Sequence, residues 1–131
     1  MGFNINGKEP NIVGKLCKSL YLIQQQEGDT VTDPANMAYF NFDGKWFKLC
    51  FDGETIFWRE NESPSEPINQ DLACCLVLLN LSELQGVVGQ RLERIEYSCD
   101  HESVSAKLTF NSGKFLRLTH NGFDDYTSIS S

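Results

Sequence analysis

Cys99, Asp100 and His101 set a thiol, a carboxylate and an imidazole side by side, and His120 is the second of the chain's 2 histidines. On a strand, Cys99 and His101 point to the same side and offer two metal ligands. A structural zinc ion takes four nitrogen or sulfur ligands, usually including a Cys-x-x-Cys pair. The 5 cysteines, Cys17, Cys50, Cys74, Cys75 and Cys99, contain no such spacing. Nucleophilic catalysis would need His101 or His120 to activate a cysteine or serine, yet neither a Gly-x-Ser-x-Gly elbow nor a papain-like motif occurs. Glycosidase chemistry needs two carboxyls facing across a cleft. Adjacent Asp124 and Asp125 point oppositely on a strand and suit a turn, while Glu60 and Glu62 suit a solvated surface. No phosphate-cradling or dinucleotide fingerprint follows any apolar run. The expectation is therefore no catalytic residue, no metal site and no cofactor.

The elements that position these residues read as β-strands. Ala38, Phe40 and Phe42 alternate with Tyr39 and Asn41, and Phe47, Leu49 and Phe51 alternate with Trp46, Lys48 and Cys50. Ala106, Leu108 and Phe110 do the same around Lys107 and Thr109. A period of two marks a half-buried strand. Asp43-Gly44, Asp52-Gly53 and Asn121-Gly122 tolerate positive φ and mark hairpins.

A repeat runs through these strands. Residues 38–49 and 106–118 share Ala, Phe, Gly, Lys and Leu in the same order, with Trp46 answered by Phe115 and Lys48 by Arg117. Upstream, Ile12-Val13-Gly14-Lys15 is echoed by Val87-Val88-Gly89-Gln90. Two units are expected, about 12–60 and 87–130. Each is a four-stranded meander: 18–25, 36–42, 46–51 and 55–59, then 92–98, 104–110, 114–119 and 125–129. They are joined by an acidic loop and an apolar segment over 61–86. Within the joint, 72–79 is a continuous apolar run, read as a buried strand rather than a helix, followed by a helical turn at 82–85. A second short helical segment is expected at 11–17. The fold class is mainly β: an antiparallel sandwich or partly open barrel of eight or nine strands, in one domain spanning 1–131. Tyr39, Trp46 and Lys48 point away from that core, and the 72–79 segment is a candidate cover for them.

Charge narrows the function. The chain has 131 residues, 40% hydrophobic and 22% charged, as a folded globular protein does. Its net charge of −7 argues against a general nucleic-acid binder and against docking on anionic lipid. No apolar run approaches the roughly 20 residues of a membrane-spanning helix. Most of the acidity lies between Asp52 and Asp71, where Asp52, Glu54, Glu60, Glu62, Glu66 and Asp71 face only Arg59. An acidic loop beside Trp58 and Phe57 reads as a steer-and-anchor surface for a basic protein. The opening Met1–Gly7 has no basic or apolar signal region. With an odd number of cysteines, that places the expectation in a reducing cytoplasm with free thiols.

Phe42-Asp43-Gly44-Lys45-Trp46, Phe57-Trp58-Arg59-Glu60 and Leu108-Thr109-Phe110-Asn111-Ser112-Gly113-Lys114 carry a resemblance to small bacterial immunity proteins of polymorphic-toxin and contact-dependent growth inhibition systems. The resemblance implies a non-enzymatic cytoplasmic inhibitor that binds a cognate toxin domain, often a basic nuclease. The expected contact residues are Glu54, Trp58, Glu60, Glu62, Glu66 and Asp71. The alternatives are a β-barrel enclosing a small molecule and a hydrolase using Cys99, His101 or His120.

Overall fold

A computed structural model describes residues 2–69 and 74–131 as two β-sheets packed on a shared core. The strands are β1 (Asn4–Asn6), β2 (Cys17–Glu27), β3 (Thr30–Phe42), β4 (Lys45–Asp52), β5 (Thr55–Glu60), β6 (Cys74–Asn80), β7 (Leu92–Cys99), β8 (Ser103–Phe110), β9 (Phe115–Asn121) and β10 (Tyr126–Ser130). One sheet runs β1-β5-β4-β3-β2-β6 and the other β10-β9-β8-β7. Neighbours pair antiparallel, except that β1 runs parallel to β5. Both sheets have ends, so this is an antiparallel sandwich and not a closed barrel.

Alternation explains the layers. Phe40, Phe42, Phe47, Leu49, Ile56 and Trp58 from one sheet and Val104, Ala106, Leu108, Phe110, Leu116 and Leu118 from the other form one buried cluster. Each large apolar side chain buried this fully contributes roughly 1.5–3 kcal/mol of transfer free energy. At the β3–β4 turn, Asp43 and Gly44 both have positive φ (53° and 93°). That geometry matches the twist of the flanking strands.

The segments 12–17 and 87–92 meet along a seam with matched hydrogen bonds. Gly14 N–H donates to the Leu92 carbonyl and Gly89 N–H to the Cys17 carbonyl, both at 2.7 Å. Cys17 N–H donates to the Gln90 carbonyl (2.9 Å), and Leu92 N–H to the Lys15 carbonyl (3.0 Å). Leu16 and Arg91, which hold the same place in each unit, bridge each other. The N–H of each donates to a turn side chain, Leu16 to Asp43 Oδ1 and Arg91 to Asn111 Oδ1. Even the register shifts agree, falling between Cys17 and Ser19 in β2 and between Leu92 and Arg94 in β7.

Three expectations need correction. First, the short helical segments at 11–17 and 82–85 are hydrogen-bonded turns, and no helix occurs among the described residues. Gly14, Gly86 and Gly89 take φ of 88°, 78° and 87°, which ends each turn before it can propagate as a helix. Second, β2 and β3 run on through 26–35 to a turn at Gly28-Asp29. The expected strands, 18–25 and 36–42, leave 26–35 as the connection. The strand accepts Pro34 where its pairing with β2 is irregular, and the Pro34 carbonyl takes Gln24 Nε2 at 3.4 Å. Third, the apolar run is a strand as expected, but β6 extends the sheet beside β2 rather than covering its outer face. Leu72 and Ala73 lie outside the described residues.

The cover comes from the acidic loop instead. Residues 61–69 leave β5 near one edge of the sheet and lead to β6 at the opposite edge. The loop is a strap across the outer face, and Glu62 Oε1 reaches Lys48 Nζ at 3.0 Å. At its far end, Asn69 Nδ2 donates to the Leu76 carbonyl (2.9 Å), and Leu76 N–H donates to Asn69 Oδ1 (2.8 Å). The side-chain amide thus stands in for one residue of a neighbouring strand.

Candidate functional site

Three turns converge at one end of the sandwich and enclose an open cleft of about 780 Å³. They are the β4–β5 turn at Gly53-Glu54, the β7–β8 turn at Asp100–Glu102, and the β9–β10 turn at Gly122–Asp125. Two of the turns touch. A Cβ on Gly122 would stand 3.0 Å from the Gly53 Cα and carbonyl oxygen, so the backbone approach there requires glycine. Gly53 and Gly122 hold the same place in their units.

Local chemistry shapes each turn. The Asp100 carboxylate accepts the N–H groups of Glu102 (2.8 Å) and Ser103 (2.7 Å) and the Ser103 hydroxyl (3.1 Å). Those hydrogen bonds hold its carboxyl below the usual carboxylate range. Asn121 Oδ1 accepts the N–H groups of Phe123 (3.0 Å) and Asp124 (3.2 Å). This side-chain turn projects Phe123 outward, 97% exposed. Glu54, Asp100, Glu102 and Asp124 line the cleft, with His101 as the one basic side chain in the lining. His101 Nε2 lies 3.5 Å from Glu102 Oε1. The cleft is acidic, with an exposed aromatic at its mouth.

The expected contact residues separate. Glu54 lines the cleft. Trp58 is 1% exposed, and its indole N–H donates to the Tyr97 hydroxyl at 2.8 Å. It is a core side chain and cannot anchor a partner, because β5 turns it inward with Ile56. Glu60 pairs with Lys45 (3.2 Å), and Glu62 with Lys48 (3.0 Å). Burial is the largest single influence and opposes the Lys48 charge, but the Glu62 hydrogen bond and the fields of Glu62, Cys50 and Tyr39 together outweigh it, leaving the Lys48 pKa above its ordinary value. Glu66 is exposed on the strap, and Asp71 lies outside the described residues. The described acids of the 52–71 stretch are thus dispersed over an end and a face. Phe123, Asp100, Glu102 and Asp124 come to Glu54 from the second unit. The turn signal at Asn121-Gly122 locates Phe123, but no local pattern says that this turn meets Gly53.

The Tyr39/Trp46 face is partly covered. Tyr21 and Trp46 rings pack at 5.9 Å, and the Tyr39 hydroxyl lies 3.5 Å from Met37 Sδ.

The thiols and histidines also divide. Cys99 and His101 both line the cleft. His120 is 1% exposed, and its Nδ1 pairs with Thr127 Oγ1 at 2.8 Å. Its Nε2 has no hydrogen-bond partner, with Asp125 Oδ1 at 3.9 Å. Burial lowers the His120 pKa, against the opposing fields of Asp125, Asp33 and Asp52. Cys99 and His120 lie on one row of the sheet with Val104 between them, and the His120 Nδ1 is engaged by Thr127. Cys17 is buried, with its thiol pushed up to about 12 by desolvation. Cys50 and Cys75 are half-buried, and Cys99 is exposed. Among the described residues, no group of three or more His, Cys, Asp or Glu side chains is placed to hold a metal ion. No protein-family model, curated protein or solved structure matches the chain.

Proposed function

We propose that the chain is a non-enzymatic cytoplasmic inhibitor of the bacterial immunity type, which neutralises a basic toxin domain by docking it on the acidic end of the sandwich. The observation that carries this reading is the placement of Glu54, Asp100, Glu102 and Asp124 around one cleft, with Phe123 standing free at its mouth. Acidic side chains around a concave, low-dielectric wall focus field and speed the approach of a basic partner. An exposed aromatic beside them supplies apolar area for a central contact. Trp58 has no part in this docking. Glu60 and Glu62 contribute to the long-range field while paired to Lys45 and Lys48.

The test takes the C-terminal domain of a large toxin encoded upstream of this gene and follows its association kinetics, and the absence of such a neighbouring gene counts against the reading. Reversing Glu54, Glu102 and Asp124 to lysine slows association by about tenfold or more at low salt. The difference shrinks as salt rises. Phe123→Ala speeds dissociation with little change in association. Equal rates for all variants at every salt concentration overturn the assignment. A cleft of about 780 Å³ also lies within the usual size of a small-molecule site. The second reading is therefore a small cationic ligand held there, which saturable shifts of the cleft amides on adding a small organic polyamine, without any protein partner, would reveal.

A further inference from the structure

Lys107 and Arg117 stand directly opposite each other on β8 and β9, on the outer face of the four-stranded sheet. Like charges in opposed positions repel. Both lie over one ring, with Lys107 Nζ 4.7 Å and the Arg117 guanidinium carbon 5.3 Å from the Phe115 centroid. Glu96 faces Lys107 from β7 and lies within the fields of Lys107 and Arg117, but its hydrogen bond goes to Arg94 Nε at 2.9 Å. Arg94 also pairs with Glu93 at 2.7 Å. Among the described residues, no carboxylate forms an ion pair with Lys107 or Arg117.

The other sheet shows what a matching row holds. Across it run Tyr21, Tyr39, Lys48 and Arg59, paired in register. Glu96, Lys107, Arg117 and Ser130 form the equivalent row. Trp46 precedes Lys48 as Phe115 precedes Arg117. On the first row the strap crosses the sheet, and Glu62 neutralises Lys48 at 3.0 Å. The second row also has a cation two residues after an aromatic, Arg117 after Phe115, with Lys107 facing it as Arg59 faces Lys48, and it has no described strap.

We propose that this second face receives an extended acidic segment of a partner protein, with a carboxylate on Arg117 as Glu62 sits on Lys48. Charge complementarity and the internal precedent of the strap both select that occupant. The site lies on a sheet face, separate from the acidic cleft, and stands whether or not the cleft binds a toxin.

The test uses the full chain and a synthetic peptide with the strap's own sequence, residues 60–69, followed by backbone NMR shifts. Saturable shifts are expected at Lys107, Phe115 and Arg117. Arg117→Glu weakens binding by about tenfold or more, as does about 0.5 M salt, which shortens the screening length to a few ångströms. Arg117→Lys retains most of the binding, and a peptide with glutamine for each glutamate shows none. The dispersed spectrum of each variant reports that it is folded. Shifts confined to the Lys48 row, no shifts at millimolar peptide, or equal binding by the neutral peptide overturn the proposal. A single-stranded oligonucleotide that binds the same face more tightly than the peptide overturns it in favour of nucleic acid.

Discussion

The Phe51 and His120 rings stack at 5.7 Å between centroids and 10° between planes, and the two residues hold the same position in the two repeat units. Each sits two residues before the glycine, Gly53 or Gly122, whose backbone meets its counterpart. Phenylalanine there is inert. Histidine brings a titratable group into the core, with Nδ1 satisfied by Thr127 and Nε2 unpartnered.

Stability should therefore fall as the solution turns mildly acidic. Burial depresses the folded-state His120 pKa below its ordinary value near 6.5. The unfolded chain then binds more protons than the folded one between those two values, so unfolding free energy drops as pH falls through that window. Asp125, Asp33 and Asp52 face the ring and oppose the shift without reversing it. Thermal melts from pH 7.5 to 5 should show a falling midpoint. His120→Phe, which installs the other unit's residue, should flatten that slope. An unchanged slope in the variant would show that His120 is not its source.

Trp58 should behave as a core residue with a buried hydrogen bond. Trp58→Ala is expected to cost about 3–5 kcal/mol. Trp58→Phe removes the indole donor to the half-buried Tyr97 hydroxyl, which burial shifts to a raised pKa and which Glu9 also approaches. A cost of about 0.5–1.5 kcal/mol follows for one lost hydrogen bond. Tyr97→Phe combined with Trp58→Phe should cost less than the sum of the two, as denaturant melts of the double-mutant cycle would read. Trp58 variants that leave stability intact but weaken partner binding would restore it as a surface anchor.

The two contacting glycines should respond unequally to alanine. At Gly122 the new methyl meets the Gly53 backbone at 3.0 Å, with no flexible side chain to give way. Overpacking of that kind costs about 1–3 kcal/mol. At Gly53 (φ 59°) a Cβ meets open space, so only the left-handed backbone penalty of roughly 1–2 kcal/mol applies. Gly122→Ala should also separate the turns and perturb Glu54 and Phe123, which amide shifts around the cleft would register. Gly53→Ala should leave those shifts nearly unchanged.

Much of this fold is written in local pattern. The strict alternation at Ala38–Phe42 and Ala106–Phe110 places strands and faces because side-chain direction on a strand is fixed by parity alone. Asp43-Gly44 marks its turn because few residues accept positive φ. The second meander lies within a residue or two of expectation at every strand end. Other features answer to tertiary structure. Pro34 is tolerated in β3 because the opposing strand is irregular there. Trp58 reads as core or as anchor, with core the more usual place for it, until β5 is oriented by its pairing with β4. The cleft is the least legible feature, since Glu54 and Phe123 are far apart in sequence. Only the approach of Gly53 to Gly122 brings them to the same end.

The seam between Leu16 and Arg91 bears on how sequence can change in such a chain. In a homodimer built from one unit, every residue on the symmetry axis faces its own copy, so any substitution is made twice at the same point. Joining the units in one chain removes that restriction. Gly53 and Gly122 remain identical where two backbones touch. Phe51 faces a histidine, and Leu16 faces an arginine. The positions where the two halves meet are thus free to differ, as His120 differs from Phe51 and Arg91 from Leu16.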